Sequence, residues 1–497
     1  MPPLPLLQLN TRALLRERAA ELGRPATLDD VADALLDDLA GRGFGWLWLL
    51  GVWRTGAAGR QIARADPEVR AALLRALPDL RDEDIVGSPF AVASYEVDER
   101  LGGPAALERL RRRMARRGLR LLLDFVPNHV ATDHPWVISH PDYFMRGTEE
   151  DLAREPRNYV RLRTGQGPLI LAHGRDPHFP GWTDTLQLDF FHPGLRQAQV
   201  HALERIAARC DGVRCDMAML VQPEVFARTW AARYRGNGHP GNPAPLAPPP
   251  FWPEAIAAVR RRHPLFQFVA EVYWDLEWEL QQAGFDHTYD KRLYDRLRAL
   301  APVPVREHLH ADLSFQQRSL RFLENHDEPR AATVFSGEAH RAAAVITYFS
   351  PGLRLFHDGQ REGRRVHLPM QLARRPAEPT DEALAAFYDR LLAALARPAV
   401  RDGRWRLLPS TPEQVVAMSW EDGEDRLLAV ASYGAHPARA VVAPPWPELG
   451  GRFLLEDLLG GPARTVEGAA LGGADGGGVT LELGPWGCHL YTVTRAA

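Results

Sequence analysis

Cysteine is scarce in this chain: three in 497 residues, Cys210, Cys215 and Cys488. So small and odd a number argues against a disulfide framework and fits a reducing compartment, so a cytoplasmic location is expected. Lysine is scarcer. Lys291 is the only one, and nearly all the positive charge is arginine. Excess charge of either sign is also missing, with 60 Lys+Arg against 63 Asp+Glu and a formal net charge of -3. That balance gives no support to a nucleic-acid or membrane-surface partner. No apolar run approaches the roughly 20 residues of a membrane helix. The opening MPPLPLLQLN lacks a basic stretch, and prolines and Gln8 break its short apolar run, so no secretion signal is expected. No GxGxxG follows a first strand, which disfavours a dinucleotide-binding sheet. The oligomeric state is left open.

What is present is a strong rhythm. The stretch 6–10 (LLQLN) reads as a strand. Thr27 caps a helix whose stripe is Leu28, Val31, Leu35 and Leu39, and Gly41 and Gly43 end it. Residues 44–53 (FGWLWLLGVW) are apolar on both faces, as a buried parallel strand should be. Further strands are expected at 119–126, 212–218, 266–274, 285–290, 320–325 and 353–358. Helical patterns over 104–117, 253–263, 290–300, 337–349 and 381–396 alternate with them. Eight such units predict an α/β fold, a (β/α)₈ TIM barrel.

Two segments interrupt the rhythm. Residues 130–187 read as an insertion after the third strand. Residues 235–253 form a Pro/Gly-rich loop after the fourth. After about residue 400 short alternating stretches predict an antiparallel β-sandwich domain. The expected division is 1–129 and 188–400 for the barrel, 130–187 for the insertion and 401–497 for the C-terminal β domain.

Polar residues gather where the apolar strands end: Asp124, Asn128 and His129 on the third, Arg214 and Asp216 on the fourth. Glu271 ends the fifth, and Asn325, His326 and Asp327 the seventh. In a barrel those ends meet at one face. Arg214 and Asp216, two apart, share a side, and Cys215 turns away. Taken alone, an Asp ending a strand is usually a helix cap or a solvated loop residue, and a His there a satisfied structural histidine. Their joint placement is the signal, although an ion-pair network produces the same pattern.

These residues fall in ordered motifs. DFVPNH (124–129), GVRCDMA (212–218), VAEVYW (269–274) and NHD (325–327), with LQLDF (186–190), resemble the signature motifs of the α-amylase family of glycoside hydrolases, family 13. The resemblance extends over the barrel, the insertion (the family's domain B) and the C-terminal β domain. It implies a retaining α-glycoside hydrolase acting on α-glucans or short α-glucosides, with an oligosaccharide or α-glucoside as partner. It implies Asp216 as nucleophile, Glu271 as general acid/base and Asp327 as third carboxylate. His129 and His326 would bond the same sugar, Arg214 would keep Asp216 ionised, and Asp124 would support the pocket. Two carboxyls about 5–5.5 Å apart, one ionised and one protonated, are what double displacement needs. Transglycosylases and phosphorylases share this machinery, passing the glycosyl group to a sugar or to phosphate.

The chain also departs from the family. Phe90 stands where a Tyr commonly stacks on the sugar. Met219 and Leu220 follow the nucleophile motif where Lys and His are usual. Leu220 is no calcium ligand, and Asn128 alone is poor provision for an ion taking six to eight oxygens. No metal or other cofactor is therefore expected. Arg330 reaches either bound sugar or a nearby acid such as Glu328. Trp136, Trp182, Trp252, Tyr273 and Trp274 offer faces for sugar rings or for the core, and Trp252, ending the proline-rich loop, is the favoured platform. The prolines of that loop predict a stiff wall and a short pocket suited to small oligosaccharides. A non-catalytic carbohydrate-binding barrel would lack the nucleophile or acid, and both are present. A metal-dependent barrel hydrolase would want His-x-His on a first strand. The HLH here is at 308–310, in an expected loop.

Overall fold

The computed structural model describes residues 4–165, 167–233, 247–472 and 477–496. Eight parallel strands close into a barrel in sequence order: β1 (Leu6–Asn10), β2 (Trp46–Leu50), β3 (Arg120–Phe125), β4 (Gly212–Cys215), β5 (Gln267–Ala270), β6 (His287–Tyr289), β7 (Ser319–Arg321) and β8 (Leu353–His357). Each lies within or overlaps an expected strand, because both-face apolar runs suit a strand walled by helices outside and packed side chains inside. Register sets the interior layers. Gln8 of β1 pairs with both Trp48 and His357, and Arg214 of β4 with Asp124 and Val269.

The helices expected at 104–117, 253–263, 290–300, 337–349 and 381–396 are Gly103–Ala115, Trp252–Arg262, Lys291–Arg298, Glu338–Phe349 and Glu382–Leu395. The helix expected from Thr27 is divided. Thr27 and Asp30 form a capping box around a 3-10 turn, Leu28–Asp30, and an α-helix begins only at Asp33. The Arg113 guanidinium takes the carbonyls of Asp29 and Val31, so the ladder is interrupted where the capped turn ends. Helices Thr11–Leu22, Ala57–Ala65 and Pro67–Ala76 were not read from the sequence.

The segment after β3 opens and closes on itself. His129–Ala131 pairs antiparallel with Thr185–Gln187, and between them Tyr159–Thr164 and Gly167–Ala172 form a hairpin. Of the proline-rich loop, residues 234–246 lie outside the described residues, so the expected wall falls largely there.

Beyond residue 403 two antiparallel sheets face each other. One has six strands, in the order 404–408, 415–422, 425–432, 488–495, 452–457 and 464–467. The other has three, 410–411, 438–442 and 479–483. The six-stranded sheet has two apolar faces. Leu428, Val430, Tyr491 and Val493 pack between the sheets, and Trp420, Leu427, Ala429 and Leu490 join the core of the barrel. The Trp420 indole donates to Phe349 O at 2.8 Å and the Tyr433 hydroxyl to Leu297 O at 2.6 Å. Among the described residues no helix is long and apolar enough to cross a membrane.

Candidate active site

The site is built around one guanidinium. Arg214 on β4 is 1 % exposed, and its Nη1 lies 2.7 Å from Asp216 Oδ1 and its Nη2 2.7 Å from Glu271 Oε2. Its Nε donates to the Tyr289 hydroxyl at 3.3 Å, and Asp124 Oδ1 stands 3.6 Å from Nη1. The rings of Trp48 and Phe90 close over it, 5.3 and 5.1 Å from its carbon to their centroids. Strand alternation explains the set: Arg214 and Asp216 point inward and Cys215, fully buried, points to the helices. Burial alone would lower the Arg214 pKa, but Glu271, Tyr289, Asp216 and Asp124 raise it well above its ordinary value.

Three carboxyls share this charge. Asp216 and Glu271 are both raised above the ordinary carboxyl range, with burial the largest cause and Arg214 opposing it. Asp124 is pushed up to about 7 by burial, against the pull of Arg214 and of the Trp48 indole that donates to its Oδ2 at 3.1 Å. Three acids around one cation favour holding a proton at neutral pH, as a general acid requires. Glu271 is also held through its other contacts. The Met217 amide donates to Oε2 at 2.7 Å and the Tyr273 hydroxyl to Oε1 at 2.8 Å. Met217 is left-handed, at φ 41°, which is uncommon for a side chain of this size.

Two histidines flank the acids. His129 Nε2 is 4.0 Å from Asp216 Oδ2, with the Trp182 ring 4.9 Å from its own. Burial pushes His129 down to about 3, so it is neutral. His326 Nε2 is 3.2 Å from Asp327 Oδ2, and Asp327 is the most open of the acids, its side chain 33 % exposed. Phe90 lies 5.3 Å from the His326 ring. Asp124, His129, Arg214, Asp216, Glu271, His326, Asp327 and Phe90 thus meet at one face of the barrel.

Two expected site residues lie elsewhere. Trp252 is fully buried, donates its indole N–H to Ala218 O at 2.9 Å, and packs on Phe125, Phe251 and Phe285. It has no free face for a sugar and is a core residue, because it opens the helix Trp252–Arg262 and turns inward. Arg330 is buried, held by Glu324 at 3.1 Å and by the carbonyls of Asp358 and Arg364. Glu328 instead pairs with Lys291 at 3.2 Å. Arg330 lines a cavity beside His326 with its Nε and Nη2 engaged in these contacts. Of the tryptophans expected as platforms, Trp274 is open, 39 % exposed, with a left-handed backbone and His178 of the inserted segment 5.0 Å away. Phe179 beside it is also exposed.

Gln8, Trp48 and Tyr289 were not read as site residues. A lone polar or aromatic residue inside an apolar strand has no partner in sequence, and only barrel closure supplies one. At Asn128 and Leu220 the residues present do not fit a calcium ion. Asn128 Oδ1 accepts the Gln187 amide at 2.9 Å, which points an N–H where a cation would need an oxygen. Leu220 is buried, and no cluster of three or more acidic, His or Cys ligands occurs among the described residues.

Known proteins match both the fold and these motifs. The α-amylase catalytic-domain family model matches residues 90–221, spanning Phe90 to Asp216. An α-amylase (MalA) of Haloarcula japonica is 27 % identical over 69 % of this chain and 47 % of its own length. An α-1,4-glucan:maltose-1-phosphate maltosyltransferase of Burkholderia pseudomallei is 26 % identical over 59 % of this chain and 22 % of its own. The matched part therefore spans about half or less of these curated relatives. A maltogenic α-amylase (AmyB) of Thermotoga neapolitana shares the fold with a TM-score of 0.69 at 19 % identity, covering 99 % of both chains. In fold and in these motifs the chain is similar to the α-amylase family of glycoside hydrolases.

Proposed function

We propose that the chain is a retaining α-glycoside hydrolase acting on α-glucans or short α-glucosides. The observation that carries this is the pairing of Asp216 and Glu271 on the two terminal nitrogens of Arg214, each at 2.7 Å. One guanidinium keeps two carboxyls close, as double displacement asks. An inverting pair needs a wider gap, about 6.5–9.5 Å, to seat a water.

In this reading Asp216 Oδ attacks the anomeric carbon while Glu271 passes its proton to the departing oxygen. A covalent glycosyl-enzyme forms, and Glu271 then takes a proton from water as that water attacks the same carbon. Arg214 offsets the charge of Asp216 before attack. Asp327, with His129 and His326, holds the hydroxyls of the sugar being transferred. Phe90 gives that sugar an apolar face. Asp124 acts at one remove, through Arg214 and Trp48.

A second reading is transfer to a sugar acceptor or to phosphate. Two observations favour it: the match to the maltosyltransferase, and the open indole of Trp274, three residues past Glu271. Proton NMR of the first product from maltooligosaccharides tests the main reading, which expects the α-anomer first. A β-anomer would refute it. Parallel reactions with added maltose or with inorganic phosphate separate the two readings by the new glycoside or sugar phosphate formed.

A further inference from the structure

We propose that Gln8 is a positioning residue that fixes which nitrogen of His326 carries the proton facing the sugar. Gln8 sits on β1, is fully buried, and stands 318 residues from its partner. Its amide Nε2 lies 2.7 Å from His326 Nδ1, and its Oε1 lies 2.9 Å from His357 Nδ1. An amide nitrogen only donates and an amide oxygen only accepts. His326 Nδ1 must therefore be the bare nitrogen, and its proton sits on Nε2. His357 must carry its own proton on Nδ1. The register of β1 against β8, which sets Gln8 level with His357, is what lets one side chain reach both rings.

The His326 ring has little other freedom. Trp48 meets it edge-on at 5.4 Å and Phe90 lies across it at 5.3 Å. The His367 ring donates to the His326 carbonyl at 2.8 Å. These contacts hold the ring plane but leave the placement of its proton undetermined, and Gln8 decides it. His326 Nε2 is buried and 3.2 Å from Asp327 Oδ2, with no aligned hydrogen bond in the free protein. An Nε2–H there is a donor waiting for a sugar oxygen. The opposite tautomer would set a lone pair against Asp327.

The charged and titratable groups facing His326 are Arg214, Glu271, Asp327, His357 and His367. None of them touches Nδ1, so its proton state belongs to Gln8. The effect on catalysis rests on the hydrolase reading above, whereas the tautomer itself does not.

The test uses the full chain labelled with ¹⁵N-histidine. In the free protein the ring shifts of His326, assigned by their loss in His326→Gln, should report the Nε2–H tautomer. Gln8→Glu keeps the shape of the side chain, and once ionised its carboxylate only accepts, so His326 must then donate from Nδ1. At low pH the imidazolium still presents Nε2–H and kcat/KM on maltoheptaose should stay near the wild-type value. As pH rises and His326 loses its second proton, kcat/KM should fall roughly tenfold more than in the wild type. Gln8→Leu should lose activity at every pH. A role in packing alone would lower Tm in both variants and leave the Glu variant with the wild-type pH profile and tautomer. That result overturns the proposal, as does an Nδ1–H tautomer in the wild type. If the chain turns over no α-glucoside, the ring shifts still decide.

Discussion

In the proposed role Asp216 has to be ionised to attack, yet it is buried beside two other acids. Arg214 is the group that reconciles these demands, so the site depends on one charge more than on any one carboxyl. Asp216→Asn keeps the shape and an acceptor for Arg214, so the fold should persist while turnover falls by roughly ten-thousandfold or more. Near-normal hydrolysis of maltoheptaose by that variant would remove Asp216 from the nucleophile's role. Glu271→Gln should slow maltooligosaccharides by about 10²–10⁴-fold but activated aryl glucosides far less, because a good leaving group needs no proton. Equal losses on both substrates would contradict an acid role. Gln187 occupies the Asn128 oxygen, so chelator treatment should leave activity and Tm unchanged. A loss that calcium alone restores would contradict that reading.

Between β4 and the short 3-10 turn that follows it, Met217 takes a left-handed backbone and turns its N–H onto Glu271. That turn couples the strand of Asp216 to that of Glu271. Met217→Asn, which tolerates this conformation, should retain most activity. Met217→Val should be less stable by about 1–2 kcal/mol and should lower kcat more than it raises KM, because the β-branch opposes the turn. Steady-state kinetics of the pair check it, and an equally active Val variant would show that the turn is dispensable. At this scale the sequence was a good guide wherever one element announces itself. All eight strands were legible because a wall buried on both faces leaves a continuous apolar run. The insertion at 130–187 was legible as an interruption, but the strands inside it were not, since they are three to six residues long and pair locally. Trp252 misled for a related reason: an indole at a loop's end looks the same in sequence whether it turns outward or into the core. Gln8, Trp48 and Tyr289 needed the closed barrel to acquire partners.

Taken whole, the molecule buries acids and histidines with opposite effects on its response to pH. Asp124, Asp189, Glu277 and Glu324 are each raised to about 7, all chiefly by burial. The native state holds their protons where the unfolded chain, with pKa values near 4, has released them. Their stabilising share is thus present below about pH 4 and is lost as pH rises to about 7. His134, His287 and His340, lowered to about 4 by burial, act in the other direction between about 4 and 6.5. Above 6.5 only the acids remain, and Tm should decline from pH 6.5 to 7.5. Asp189→Asn should make that decline shallower, by differential scanning measurements across the interval, and an unchanged slope would exclude Asp189 as a contributor. A last consequence follows from the six-stranded sheet having one of its faces in the barrel's own core. The part of the chain that holds the acids cannot be cut loose from the part that follows residue 403. Ending the polypeptide there would remove Trp420, Leu427 and Leu490 and uncover the barrel residues they pack against, a sticky oily flank on the fragment. Such a fragment should clump during expression, and the intact chain should melt in a single calorimetric peak; two separated peaks would mean that the halves stand alone.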